Sequence, residues 1–165
     1  LYDIDGFIVG LSREMPELLL LSVLESEFEK VDYTEDRYGT SMYGFYPSEG
    51  GDAAWVERIC GVEIKDKTIL ENGMKIKFRA ILEWLHSANS NVIPEMSIYI
   101  NNIFIKQFSI SDGENECFIS ADEMPYSESG IYEIVLECNS SFIPKEIGLN
   151  EDTRELSVQV MYIGR

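Results

Sequence analysis

The chain has 165 residues, with 13 Lys and Arg against 30 Asp and Glu, and a formal net charge of −17. Such a balance argues against proteins that track a phosphate backbone or dock on an anionic membrane, because both need a basic patch. Hydrophobic residues make up 45% and aromatics 12%, which suits one folded domain, with or without a short appendage, rather than a disordered tail.

The first residues, Leu1 to Val9, already form an apolar run, Tyr2-Asp-Ile-Asp-Gly-Phe-Ile-Val9. Natural termini tend to be polar and frayed, so the chain is expected to be a piece of a longer protein. From Pro16 to about Lys30 the spacing is helical. Pro16 suits a first turn, Glu17 complements the helix N-terminus, and Leu18, Leu21, Leu24 and Phe28 step by three or four. The apolar run Leu18 to Leu21 is too short, and too flanked by acids, for a signal core or a membrane span. Val31 to Thr40 is polar and reads as a linker, with Asp32, Glu35 and Asp36. The division expected is therefore an N-terminal strand, helix and linker segment, 1–40, either the end of an upstream domain or a lid on this one, and a β-sandwich domain, 41–165.

Beyond Ser41 the period changes to two. Met42-Tyr-Gly-Phe-Tyr46 stops at Pro47, and Ser48 to Ala53 forms a loop with two glycines and two acids. Ala54 to Cys60 re-enters a strand, with short ones expected at Val62–Ile64 or Thr68–Leu70. Lys75 to Leu85 is the longest strand candidate, with Ile76, Phe78, Ala80, Leu82 and Trp84 on its core side; a helix competes there. Asn101-Asn102, between Met96–Ile100 and Ile103–Phe108, predicts a tight hairpin, because both positions tolerate left-handed backbone. Glu116–Ser120, Ile131–Cys138 and Leu156–Ile163 complete the set. Tyr132, Ile134, Leu136 and Cys138 share one face, and so do Leu156, Val158, Val160 and Tyr162. The class expected is all-β, an antiparallel two-sheet β-sandwich of jelly-roll or immunoglobulin-like connection, with a short N-terminal helical appendage.

Little in the chain reads as reactive chemistry. His86 is the only histidine, and a lone histidine at a strand end says nothing of a triad. Cys60, Cys117 and Cys138 lack CxxC spacing and read as free buried thiols in a reducing cytoplasm. Asn139-Ser140-Ser141 matches a glycosylation triplet without other signs of secretion. There is no P-loop and no zinc-type cluster, and Asp112-Gly113-Glu114 and Asn150-Glu151-Asp152 lack EF-hand spacing and read as solvated turns. No cofactor and no metal are expected. A pair of carboxylates working on a glycosidic bond would need a cleft that sequence cannot display.

The aromatics divide by phase. Phe78, Trp84, Tyr132 and Tyr162 fall with the apolar faces, whereas Tyr43, Tyr46, Trp55, Tyr99 and Tyr126 are out of phase or in loops. Exposed flat rings stack on sugar faces, with charged and amide groups bonding the hydroxyls; partly buried edge residues are the plain alternative. Tyr46, Trp55 and Tyr99, with Glu57 and Arg58 as polar partners, are the candidate ligand surface. Lys75, Lys77 and Arg79 form a basic stripe expected to pair across strands with Glu133 and Glu137. Asp152 and Arg154 are suited to pin the loop that contains Pro144, since a bidentate pair fixes geometry.

The stretch Gly44-Phe-Tyr-Pro-Ser-Glu49 through Trp55, the Asn101-Asn102 turn, and the ending Ser141-Phe-Ile-Pro144, Asp152-Thr-Arg-Glu-Leu-Ser157 and Tyr162-Ile163 together resemble a known kind of domain. This is the accessory β-sandwich fused to bacterial glycosyltransferases and sugar-pathway methyltransferases. The Phe-Ile-Pro loop followed by Asp-x-Arg-x-Leu is the most specific part, and the likeness spans Met42 to Arg165. It implies a carbohydrate-binding-module-like, non-catalytic domain within a cytoplasmic enzyme of surface-polysaccharide synthesis. Its partners would be a glycan or sugar-bearing substrate and an upstream transferase domain, with no nucleic acid and no membrane insertion. The alternatives are a structural or protein-interaction domain and a small carbohydrate-active enzyme.

Overall fold

The computed structural model describes residues 29–33 and 42–165. The helix expected at Pro16–Lys30 falls outside these residues apart from its last two positions. The strands are β1 (Val31–Asp32), β2 (Met42–Phe45), β3 (Ala54–Lys65), β4 (Met74–Ala80), β5 (Glu95–Ile100), β6 (Ile103–Ser109), β7 (Gly113–Ile119), β8 (Ile131–Cys138) and β9 (Gln159–Gly164). A short helix α1 (Ile69–Asn72) precedes β4, α2 (Leu82–Ala88) follows it, and a 3-10 turn occupies Ala121–Glu123.

Among the described residues the fold is mostly β, one curled antiparallel sheet in the order β6-β5-β8-β3-β9-β4-β7, with β1 added on β9 and β2 on β3. The alternation read from the sequence makes this possible. β4 and β5 bury every second residue, so Ile76, Phe78, Met96, Ile98 and Ile100 enter the core while Lys75, Lys77 and Arg79 face outward. β3 links the two halves of the sheet. Ala54 and Trp55 pair with β9, whereas Ile59 to Lys65 pair with β8. Between these stretches Glu57, Arg58 and Ile59 are all exposed, which marks the bend.

The curl brings the two outermost strands, β6 and β7, to face one another. The Lys106 ammonium of β6 donates to the Phe118 carbonyl of β7 at 3.1 Å and pairs with Glu123 at 2.8 Å. Within the curl, Phe78 of β4 meets Phe108 of β6, with ring centroids 6.2 Å apart.

The β5–β6 turn is the two-residue hairpin expected. Ile100 pairs with Ile103, and Asn101 and Asn102 take φ of 51° and 66°, as a type I′ turn requires. Asn101 also reaches β8: its side-chain oxygen accepts the Glu133 N–H at 2.8 Å, and its own N–H donates to the Glu133 carbonyl at 2.9 Å. Asn101→Gly keeps the backbone at ease but removes the side-chain bond, so it should cost about 1 kcal/mol in urea denaturation.

Several expectations are corrected. Val31, placed in a linker, is fully buried in β1, and Tyr33 is also core. Among the described residues the longest strand is β3, not Lys75–Leu85, and Thr68–Leu70 forms the N-cap and first turn of α1 rather than a strand. β4 ends at Ala80, and Leu82, Trp84 and His86 belong to α2. Nothing on its own residues caps α2; the Asp112 carboxylate accepts the Leu82 N–H at 3.0 Å from a remote loop. Tyr162, expected in the core, faces outward beneath Lys75. A bulge at Met161 lies between the pairs Lys77–Tyr162 and Phe78–Val160, and it shifts the phase so that Ile163 is buried instead. The basic stripe pairs with β7 and a loop, not with Glu133 and Glu137. Lys75 meets Glu116 at 3.9 Å, and Arg79 meets Glu114 at 3.8 Å and Asp52 at 3.1 Å. Strand order decides this, since β7 borders β4 while β8 borders β3.

Carboxylates held below their ordinary values, Glu123 and Asp66 among them, set an acid dependence. The Lys106 hydrogen bond, with the Ser120 hydroxyl and N–H, holds Glu123 below its ordinary 4.5 against a smaller effect of burial. Burial is the largest single influence on Asp66 and raises it. The Thr68 hydroxyl and N–H and the Arg165 guanidinium together outweigh that, leaving Asp66 below 3.8. A depressed folded pKa gives stability that is present above the unfolded value and lost as pH falls through the folded one. Glu63, raised by burial and then by Glu133, has the opposite sign and loses its contribution as pH rises. Melting temperature should therefore drop as pH falls below about 4, and Glu123→Gln should flatten part of that drop.

Candidate ligand-binding cleft

Register alone assembles an outward-facing row. Trp55 of β3 pairs with Gln159 of β9, Gln159 with Arg79 of β4, and Arg79 with Glu114 of β7. Directly opposed residues share a face, and neighbouring strands lie roughly 5 Å apart, so the row presents an indole, an amide, a guanidinium and a carboxylate in steps of that size.

The loop between β2 and β3 overhangs this row and is held at two points. Asp52 takes the Arg79 guanidinium at 3.1 and 3.4 Å, and Glu49 takes Arg154 at 3.1 Å. Between the holds are Gly50, at φ of 88°, and Gly51, both with open space around them. Beneath the loop is a cleft of about 230 Å³ lined by Pro47, Glu49, Asp52, Trp55, Arg79 and Gln159 among others.

Trp55 is half-buried because one side of it is packed. Its ring stacks on Trp84 of α2 at 6.3 Å and meets the edge of Phe142 at 5.7 Å. Behind these rings Leu85, Phe142 and Leu156 form a small second core, separate from the one inside the curl. Trp84, expected in the main core, belongs here.

Tyr46 supports the same wall from below. Its hydroxyl donates to the Glu155 carbonyl at 3.0 Å, and Arg154 lies over its ring at 5.0 Å. Burial, then the Glu57 charge, push the Tyr46 hydroxyl above its ordinary 10.0, while Arg154 pulls the other way. Arg154 is itself fixed by Asp152. Its Nε donates to both carboxylate oxygens at 3.0 Å, and Nη2 donates at 2.7 Å. The Lys145 N–H donates to the Asp152 carbonyl at 2.9 Å, which ties the stretch after Pro144 to this pair.

The structure brings Tyr46 and Trp55 together around one loop. Glu57 lies two residues further along β3, exposed. Arg58 turns at the bend toward Glu137 of β8, at 3.9 Å. Tyr99 does not join them. It meets Phe104 edge-on at 5.7 Å and pairs with Val135, which pairs with Gly61 beneath the Tyr43 ring, in a separate outer row. Asp52, Glu49 and Gln159 were missed by the sequence reading. Arg79 was seen only as a member of a stripe, because register is what makes it a neighbour of Trp55.

No protein-family model matches the chain, and no curated protein matches it. Among solved structures it is similar to β-glucuronidase from Ruminococcus gnavus. In complex with D-glucaro 1,5-lactone that enzyme gives a TM-score of 0.34 and 11% identity, over 85% of this chain and 29% of that one. In complex with D-glucuronic acid it gives 0.34 and 10%, over 84% and 29%. The chain thus spans less than a third of those proteins, and likeness at this level fixes neither site nor activity.

Asp52, one of two carboxylates lining the cleft, is held below its ordinary 3.8 chiefly by the hydrogen bonds that Arg79 donates to it, whereas an acid catalyst near neutral pH needs a raised value. His86 is exposed on α2. Among the described residues no three His, Cys, Asp or Glu side chains gather as a metal site would need, and no helix is long and apolar enough to cross a membrane. Asp112 caps α2, and Asp152 is spent on Arg154.

Proposed function

We propose that this domain binds a glycan in the cleft beside Trp55 without transforming it, as an accessory part of a cytoplasmic transferase of polysaccharide synthesis. The observation that carries the reading is the row Trp55–Gln159–Arg79 opening into one cleft. An indole, an amide and a guanidinium already paired with carboxylates, at successive strand spacings, suit a ring face and its hydroxyls. The Phe142-Ile-Pro144 loop and the Asp152-x-Arg154-x-Leu156 run supply the resemblance to transferase-linked modules. On the finer reading the curled sheet is a two-sheet sandwich in which β3 passes from one sheet to the other, and the cleft sits on the outer face of the half that contains β9 and β4.

The test uses the Trp84→Phe variant, which keeps a ring behind Trp55 and leaves Trp55 as the single indole. Its fluorescence should shift when a binding oligosaccharide is titrated. Trp55→Ala should weaken binding by about 1–2 kcal/mol, the scale of an aromatic contact. Unchanged binding by a folded Trp55→Ala protein would remove the cleft as the site.

A further inference from the structure

Both guanidinium groups around the cleft are already taken. Arg79 is held by Asp52 at 3.1 Å and by Glu114 at 3.8 Å; Arg154 is held by Asp152 at 2.7 Å and by Glu49 at 3.1 Å. Four carboxylates thus surround two cations, and two of them, Glu49 and Asp52, line the cleft itself. Glu57 and Glu155 add negative potential beside Tyr46. The chain as a whole carries −17, so the far field has the same sign as the near one.

Resting on the glycan reading above, we propose that the cleft discriminates by charge: it accepts neutral sugars and amino sugars, and rejects uronic or sulfated ones. A sugar hydroxyl can share the oxygens of Asp52 and Glu49 and the amide of Gln159 without breaking an ion pair. A protonated amine gains from the same carboxylates. A sugar carboxylate, in contrast, must displace Asp52 or Glu49 from its arginine and leave that group facing another negative charge. Selectivity of this kind comes from the repulsive element as much as from the attractive one. The carboxylates do double duty, since the pairs that hold the loop over the cleft also hide the cations from anionic ligands.

The experiment is calorimetric titration of the whole chain with three probes of matched length at low salt: a neutral gluco-oligosaccharide, its glucosamine counterpart and an oligogalacturonate. The glucosamine probe should bind at least as tightly as the neutral one, and the galacturonate at least about tenfold more weakly. Raising the salt to about 0.5 M should narrow the gap, because exposed charges are screened. Asp52→Asn combined with Glu49→Gln should improve galacturonate binding relative to neutral binding. Both side chains are exposed, and a melting curve confirms that the variant is folded. Galacturonate binding as tight as or tighter than the neutral probe, with Trp55 still required, would overturn the charge rule and leave the glycan reading standing. Failure of all three probes to give binding heat or to shift the Trp55 emission of the Trp84→Phe protein would overturn both.

Discussion

Phe142→Ala should destabilise the protein by about 3–5 kcal/mol, among the largest effects of any single truncation here. Phe142 is 2% exposed and meets two indoles edge-on, Trp55 at 5.7 Å and Trp84 at 5.5 Å. Its backbone is fixed by paired 2.8 Å bonds to Leu156, so the main chain cannot sink into the space left behind. The second core is small, with Leu85 and Leu156 as its other fully buried members, so the cavity would have few neighbours able to fill it. The denaturant midpoint should fall with an unchanged slope, and the near-ultraviolet circular dichroism of the tryptophans should weaken. Phe142→Leu, which keeps most of the volume, should cost about 1 kcal/mol. Equal losses for the two variants would mean that ring geometry, not volume, holds the wall of the cleft.

Gly44→Ala should cost about 3 kcal/mol or more, by a different route. Gly44 sits in β2 at φ of 77°, and a Cβ there would lie 2.4 Å from the Ile59 carbonyl oxygen and 2.8 Å from the Cys60 Cα. Those are backbone atoms of a central strand and cannot swing aside. The register of β2 on β3 jumps at this point, from Tyr43–Gly61 to Phe45–Val56, so the glycine lies where the bend of β3 is taken up. Gly50→Ala provides the control. Its φ is 88° but nothing lies within 4 Å, so only the conformational term of about 1 kcal/mol applies. Thermal melts of the two variants should differ by several degrees. A Gly44→Ala protein as stable as Gly50→Ala would mean that β2 can leave β3 without loss.

The sequence disclosed those features whose causes are local. Asn101-Asn102 announced its turn because two adjacent residues must both adopt left-handed backbone, and few residue types do so readily. The alternation of β4, β5 and β8 was visible because each buries one face. What stayed hidden had remote causes. The start of α2 is capped by Asp112, thirty residues along the chain, so the apolar run through Leu82 and Trp84 continued to look like strand. The Met161 bulge takes one residue out of register and moves Tyr162 from inside to outside, and periodicity does not reveal such a slip. The cleft follows the same rule. Trp55 and Tyr46 stood out as aromatics out of phase, but Gln159 and Arg79 became their neighbours only through the pairing of β3, β9 and β4. Tyr99 shared the type of residue and not the place.

The contact of Lys106 across the gap between β6 and β7 bears on how the protein behaves in a crowded solution. An open sheet has two borders, and each is a template onto which another chain can add a strand. Here the borders look at one another, and a single flexible amine reaches from one to a backbone oxygen of the other. The sheet is spared the strain of full closure, yet neither border is presented squarely to a stranger. Neutralising that amine, for example in Lys106→Gln, removes a hydrogen bond that runs from one border to the other, and light scattering of the variant at high concentration should rise if that tie keeps the borders from pairing with other chains.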